Sequence, residues 1–295
     1  MKVAVIVVNY NDVEDTIKYV RKISKYEIIQ KIVVVDNKST DIKAMENLQE
    51  LKNEKVTVLQ AEKNGGYSYG NNFGIRYLQK HEETYDYYIL SNPDIEIEEK
   101  AIKTCLQVME NDEKIGIAAP RMVHENGKPI RRSAWKMRTF ALDVIHSTRL
   151  LELIFYKKLR AGEYSEEDYK QEILDVEAIS GAFFMIKNAT LEQIGLLDEN
   201  VFLFYEEDII AKKMKEKMLR TVSVNSVKFI HFESQAIGKA FNYYRKMQML
   251  YQSKMYYHKT YNKINRWQSI VFSILNFVRK LELLIEIPLR KISKK

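Results

Sequence analysis

Short apolar runs alternate with amphipathic stretches through the first 120 residues, and few architectures accommodate that alternation. The runs are Val3 to Val8, Ile32 to Val35, Val56 to Leu59, Tyr87 to Leu90 and Ile115 to Ala119. Between them, residues 12–24, 40–51, 71–79 and 98–110 carry apolar side chains at helical spacing. Runs of that length read as buried strands, and the periodic stretches read as helices. Repeated strand–helix–strand units predict an α/β fold, a Rossmann-like and mostly parallel sheet with helices on both faces.

In such a sheet the working loops lie beyond the carboxyl ends of the strands. Here they are Asn9-Tyr10-Asn11, Asp36 to Thr40, Asn64-Gly65-Gly66 and Asn92-Pro93-Asp94. A buried strand cannot hold an unpaired charge, so Asp94, just past an apolar run, sits where rigidity meets solvent. It suits a metal-bound diphosphate, or equally a turn or a helix cap. Asp36 stands where a ribose or base is gripped in nucleotide folds, or caps the helix after it. A dinucleotide site would need glycines after the first strand, and Asn9-Tyr10-Asn11-Asp12 has none. The glycines follow the third strand instead, as Gly65-Gly66 with Gly70 and Gly74; Gly65-Gly66 also reads as a tight turn.

Farther along, Glu206-Glu207-Asp208 sits among Phe202, Phe204, Tyr205 and Ile209. Adjacent like charges raise the pKa of at least one member, which suits a general base; carboxylates at that place also cap a helix over 209–218. Arg131-Arg132-Ser133-Ala134-Trp135 offers a phosphate contact at Arg132 and a sugar-stacking face at Trp135, or a surface loop. Residues 157–171 read as an exposed excursion or lid edge. The stripe Tyr243, Tyr244, Met247, Leu250, Tyr251, Met255 and Tyr256 reads as core or as the seam of a homodimer.

Charge and cysteine content narrow the setting. A single cysteine, Cys105, excludes an internal disulfide and a multi-cysteine zinc cluster, and fits a cytoplasmic protein. Val3 to Val8 is too short for a secretory signal. The net charge of +7 comes with basic pairs at Arg279-Lys280, Arg290-Lys291 and Lys294-Lys295. No nucleic-acid-binding signature accompanies them, so no nucleic acid partner is expected. Residues 270–287 are strongly apolar but broken by Arg279, Lys280, Glu282 and Glu286. Such a segment does not span a bilayer. It could lie among lipid headgroups on the inner face of the cell membrane, dock on its own core, or pair with a second copy.

Taken in order, Val5 to Asn11, Val33 to Thr40, Asn64 to Tyr67 with Asn71 to Gly74, and Ser91 to Asp94 resemble successive blocks of family 2 glycosyltransferases, in the rhamnosyltransferase-like branch. Ser180 to Met185, Leu196 to Glu199, Phe202 to Asp208 and Ile230-His231 resemble the later blocks, so the resemblance covers about residues 1–240. It implies a GT-A fold whose nucleotide-binding half is 1–120 and acceptor-binding half 121–240, followed by a helical C-terminal extension over 241–295. It also implies sugar transfer with inversion from a nucleotide-diphosphate donor, dTDP-rhamnose or a UDP-sugar first, and a divalent cation, Mg or Mn. The acceptor would be a carbohydrate, including a lipid-linked glycan of a cell-surface polysaccharide.

By the same resemblance Asp36 reads the nucleobase, Asn9 and Asn64 line the nucleoside, and Asn37, Gly65, Gly66, Asn71 and Asn92 complete the donor site. Asp94 matches the last residue of the metal-binding motif, whose first acidic position is here Asn92. His231 matches a histidine near the leaving diphosphate and a third ligand, or is a hydrogen-bonded histidine at a strand end. Glu207 falls at the base position, where aspartate is usual, with Asp208 and Glu206 beside it. A catalytically inactive nucleotide-sugar-binding protein and a nucleotidyltransferase remain open as alternatives.

Overall fold

The computed structural model describes residues 1–81, 84–232 and 243–292. Strands β1 (Val3–Asn9), β2 (Lys31–Asp36), β3 (Val56–Gln60) and β4 (Tyr87–Ser91) alternate with helices α1 (Val13–Ile23), α2 (Ala44–Gln49) and α3 (Gly66–His81). These strands are parallel, in the order β3-β2-β1-β4. Val3 to Val7 and Ile32 to Val35 are at most 1% exposed, as expected where helices cover both faces of a parallel sheet.

After β4 the chain forms β5 (Ile95–Ile97), α4 (Glu99–Glu110), β6 (Ile115–Val123), β7 (Ala134–Trp135), α5 (Phe140–Ile145) and α6 (Arg149–Ile154). Then follow β8 (Ile173–Val176), β9 (Ala178–Ile179), β10 (Phe183–Lys187), α7 (Asn188–Ile194), α8 (Glu206–Glu216) and β11 (Arg220–His231). Strand β10 inserts antiparallel between β4 and β6, and β6 runs parallel to β11. Both β5 and β8 pair antiparallel with β11, while β7 and β9 form a separate two-stranded sheet. The sheet is thus parallel through its N-terminal half and mixed beyond β4.

Helix α3 begins at Gly66, five residues before the apolar periodicity starts, because its sheet-facing side is made of glycine. A Cβ on Gly70 would lie 2.7 Å from Val8 Cγ1, and one on Gly74 would lie 2.8 Å from Ile6 Cγ2. The helix therefore rests directly on β1, and Asn71 and Asn72 are buried within it. Gly66 itself has φ +86°, and a Cβ there would lie 1.9 Å from the Phe202 carbonyl oxygen. Left-handed backbone costs an L-residue about 1–2 kcal/mol, and the clash adds to it. Gly66→Ala is expected to destabilise the fold by about 2 kcal/mol or more, read as a lower urea midpoint at unchanged slope; an unaltered midpoint would show that the turn relaxes freely.

The last helices are α9 (Tyr243–Thr260) and α10 (Arg266–Ile292). The buried face of α9 is not the aromatic and methionine stripe but Met249, Ser253, Lys254, Tyr257 and His258. Stripe residues are half-buried, and Tyr244 is exposed. Polar Lys254 and His258 turn inward because Asp143 meets them: His258 contacts its buried carboxylate, and Lys254 donates to its backbone carbonyl and lies near its charge. Tyr257 packs with Val201, Tyr205 and Ile209 in a small second core. The domain boundary expected at residue 240 and the pair Lys294-Lys295 lie outside the described residues. The 157–171 excursion is pinned by buried Tyr169, whose ring lies 4.2 Å from the Arg121 guanidinium. Among the described residues, no helix is long and apolar enough to cross a membrane.

Candidate active site

At the carboxyl end of β2, Asp36 is wholly buried. Its carboxylate accepts hydrogen bonds from Asn9 Nδ2 (2.9 Å), from the Ser39 hydroxyl and backbone N–H, and from Gln60 Nε2 (3.4 Å). The Ser39 contact is the turn-forming role that such an aspartate can play. Asn9 is also wholly buried, and its Oδ1 accepts from the Thr16 hydroxyl at 3.0 Å. With both ends of its amide engaged, Asn9 holds Asp36 in place.

Asn37 Nδ2 donates to Asn64 Oδ1 (3.1 Å) and to the Gly66 carbonyl (3.0 Å), joining the loops after β2 and β3. Asn71 Nδ2 donates to the Tyr67 carbonyl at 3.0 Å. Asn37 Oδ1, Ser68 Oγ and Asn71 Oδ1 are buried and make no hydrogen bond among the described residues. An unmet buried polar atom costs about 1–3 kcal/mol, so three of them around one glycine turn mark a place built for a polar ligand. Gly65 is equally constrained, since a Cβ there would lie 2.3 Å from the Tyr69 ring.

The end of β4 meets the end of β11. Ile95 pairs with His231 in the β5–β11 ladder, and Phe232 N donates to the Asp94 carbonyl at 3.0 Å. His231 Nε2 thereby lies 3.3 Å from Asp94 Oδ2. Two ligands of one octahedral ion, bonded at about 2.1 Å and at right angles, stand about 3 Å apart. That spacing matches an ion pair, and equally two adjacent positions on an octahedral ion, one carboxylate oxygen and one imidazole nitrogen, although Mg²⁺ prefers oxygen alone. Among the described residues no cluster of three or more His, Cys, Asp or Glu could hold a metal. Asn92 is half-buried, and its backbone N–H donates to the Ala182 carbonyl at 2.8 Å.

The acidic trio opens α8 after two residues in left-handed conformation, Phe204 (φ +73°) and Tyr205 (φ +69°). Glu207 Oε1 accepts from Gly181 N at 3.1 Å, and the Tyr67 hydroxyl donates to the Gly181 carbonyl at 2.8 Å. Consecutive residues Gly181 and Ala182 thus hold Glu207 on one side and Asn92 on the other, so the trio and the β4 loop are neighbours. Asp208 accepts from Arg138 N (2.8 Å) and Trp135 Nε1 (3.2 Å). Glu206 is buried, and its Oε2 has no partner among the described residues.

Burial pushes all three carboxyl groups upward. Glu206 rises well above the usual range through burial and then the Glu207 charge; Glu207 rises through burial, restrained by N–H groups including that of Gly181. Asp208 is pushed up to about 7 by burial, against the pull of the Arg138 N–H and charge. A cavity of about 530 Å³ lies against Glu207 and Asp208 and is lined also by Arg132, Trp135, Arg138 and Lys254. It brings both proposed acceptor contacts, Arg132 and Trp135, to the acidic trio. Asp36 and Asp94 are not among its lining residues.

Asp143 carried no motif in the sequence, yet it anchors the far wall of this cavity. It is wholly buried and accepts from the Tyr205 hydroxyl (2.6 Å), with His258 Nε2 at 2.7 Å and Arg138 Nη1 at 3.3 Å. Burial alone would raise its pKa, but His258, Lys254 and Arg138 hold it at about 2. This carboxylate joins α5, α9 and the turn that presents the acidic trio.

The same architecture recurs in known proteins. The chain is 28% identical over 228 residues to the low-salt glycan biosynthesis hexosyltransferase Agl10 of Haloferax volcanii, a match that covers 77% of this chain and 66% of that protein, just under two-thirds of its length. Among solved structures, GalNAc-T7 with UDP, GalNAc and Mn²⁺ superposes with a TM-score of 0.56 at 18% identity, covering 78% of this chain and 44% of that one. The mannosyltransferase PcManGT of Pyrobaculum calidifontis, in complex with GDP-Man and Mn²⁺, gives 0.53 at 15% identity, covering 93% and 73%. S. aureus TarS 1-349 with UDP-GlcNAc gives 0.53 at 15%, covering 93% and 71%. These neighbours share the GT-A-like fold. A model of the family described as Glycosyl transferase family 2 matches residues 4–195, more than half of the sequence, and the chain belongs to that family.

Proposed function

We propose that this protein transfers a hexosyl group, with inversion, from a nucleoside diphosphate sugar to a hydroxyl of a glycan. The observation that carries the reading is the Gly181-Ala182 segment, which binds a buried-side carboxylate, Glu207, and the metal-motif loop at Asn92 through adjacent residues. A donor phosphate beside Asp94 and an acceptor hydroxyl beside Glu207 would then face each other across one sugar ring. Glu207 takes the proton from the acceptor hydroxyl as its oxygen bonds to the anomeric carbon. The bond to the diphosphate breaks, and the nucleoside diphosphate leaves with that electron pair. Attack opposite the leaving group inverts the centre.

Asp36, held by Asn9, reads the base; Asn37, Asn64, Gly65, Gly66, Asn71 and Asn92 surround the rest of the donor. Asp94 and His231 would hold Mg²⁺ or Mn²⁺. A bound divalent cation supplies positive charge against the charge that grows on the leaving diphosphate. On the acceptor side Arg132 and Trp135 face the cavity, suited to a phosphate and to the apolar face of a sugar. The glycan-biosynthesis relative supports a glycan acceptor, here one carried on a lipid at a membrane face, and the uridine nucleotides in two of the structural neighbours rank a UDP-sugar ahead of dTDP-rhamnose.

The test is a panel of UDP-, GDP- and dTDP-sugars with Mn²⁺ or Mg²⁺, read by melting temperature and by slow donor hydrolysis, since a ligand of the native state raises its melting point. A UDP-sugar with Mn²⁺ is expected to raise Tm and release UDP, and Asp94→Ala is expected to remove the Mn²⁺-dependent part of that rise. Failure of every donor to shift Tm or to be hydrolysed would overturn the proposal; release of pyrophosphate would make the protein a nucleotidyltransferase.

A further inference from the structure

Helix α10 is amphipathic in an inverted sense. Its apolar residues Ile270, Ile274, Phe277, Leu281, Leu284 and Ile285 are 39–71% exposed, at spacings of three or four that place them along one stripe. Facing the protein, Phe272 and Leu283 are buried, and the inward acids Glu282 and Glu286 lie 2.9 and 2.8 Å from Arg279. Helix α6 and the two residues after it repeat the pattern: Leu150, Leu153, Ile154, Phe155 and Tyr156 are all exposed. The two helices touch, because the Glu282 carboxylate accepts from Arg149 N (3.0 Å) and Leu150 N (3.3 Å) at the start of α6. Two exposed apolar faces from distant parts of the sequence thus lie side by side.

The exposed, unpaired charges around them are mostly basic. Lys157 and Lys158 follow α6, Lys263 precedes α10, and Arg266 and Lys280 lie on it, all exposed, while Arg160 pairs with Glu163. The nearby acids are instead occupied: Glu152 with Arg149, Glu282 and Glu286 with Arg279. A self-paired interface would set this basic rim against its own copy, and like charges oppose one another there. Anionic lipid headgroups complement it, and exposed Trp267 and Tyr156 are the side chains that favour the bilayer–water boundary. The intruding Arg279, Lys280, Glu282 and Glu286 suit a helix lying in that boundary, not one crossing it.

We propose that α6 and α10 form one docking plate for an anionic lipid bilayer, and that the acceptor cavity opens beside it. Arg149, Arg279 and Glu286 line that cavity, so the helices that carry the plate also wall the acceptor side. A glycan held on a membrane lipid then reaches Glu207 without leaving the surface. This last step rests on the acceptor reading above; the docking plate does not.

The test is co-sedimentation of the full chain with phosphatidylcholine vesicles, with and without phosphatidylglycerol, at low and high salt. The protein is expected to bind the anionic vesicles at least about tenfold more tightly than the neutral ones, and to lose that margin in high salt. Leu153→Glu on α6 and the pair Phe277→Glu with Leu284→Glu on α10 are each expected to weaken binding about tenfold or more. All three side chains are exposed, so Tm and donor hydrolysis in solution should not change. No binding to anionic vesicles would overturn the proposal, as would binding indifferent to these substitutions. A dimer that the same substitutions split would assign the plate to a second copy. Donor hydrolysis is measured without vesicles, so loss of the plate and loss of the transferase reading remain separate results.

Discussion

Replacing Glu207 by glutamine is expected to lower the rate of sugar transfer about 10³-fold, the order contributed by a well-placed general base. The amide keeps the volume of the side chain and an oxygen to accept from Gly181 N, so the fold and donor binding should survive. What it loses is the capacity to take a proton. Burial raises the Glu207 carboxyl, so the acid limb of kcat/KM should lie above the ordinary carboxylate range, with activity falling as pH falls and the base is protonated. Turnover measured by nucleoside diphosphate release, with donor KM alongside, checks this. Near-normal turnover in Glu207→Gln, with a large loss in Asp208→Asn, would move the base by one position.

The same burial has a thermodynamic cost. A carboxyl whose folded pKa exceeds its unfolded value binds protons more tightly when folded, so stability falls as pH rises between the two values. For Asp208 that window runs from its ordinary value of 3.8 to about 7. Glu206, with an unpartnered buried oxygen, adds in the same direction. Active sites often hold such unfavourable groups because proton transfer near neutral pH requires them.

Much of the parallel half of the sheet was legible in the sequence because it follows from local rules. A parallel strand buried on both faces must be apolar, and its first polar residues mark the loop, which located Asp36 and Asp94 without reference to the rest of the chain. Helix α3 was partly hidden because its sheet-facing positions are glycines, which leave no apolar signal. The insertion of β10 between β4 and β6 was hidden for another reason: strand order depends on pairing between distant segments, here Phe183 with Ser91. The partners of Asn9 were not legible, because sequence shows an amide after a strand but not that Asp36 and Thr16 engage it. Asp143 gave no signal, since its partners lie at residues 138, 205, 254 and 258.

That carboxylate is where the largest loss of stability is expected. Asp143→Ala should destabilise the protein by about 3–5 kcal/mol, the usual result of removing one member of a buried ionic group and stranding the others. The Arg138 side chain is 22% exposed and His258 not at all, so solvent cannot replace the missing charge. The sign of the pH dependence follows from the depressed pKa: the Asp143 contribution is fully present above its unfolded value near 3.8 and disappears as pH falls through about 2. Urea melts of Asp143→Ala and wild type should therefore differ most near neutral pH and converge in acid, with Asp143→Asn in between because it keeps the hydrogen bonds without the charge. A loss below about 1 kcal/mol at neutral pH would show that the site collapses around the gap. Arg138, which the carboxylate holds, presents its backbone N–H to Asp208, and Tyr205 immediately precedes Glu206. Loosening Asp143 should thus lower activity before the protein unfolds, because α9, which carries Lys254 and His258, is part of what aims the acidic trio.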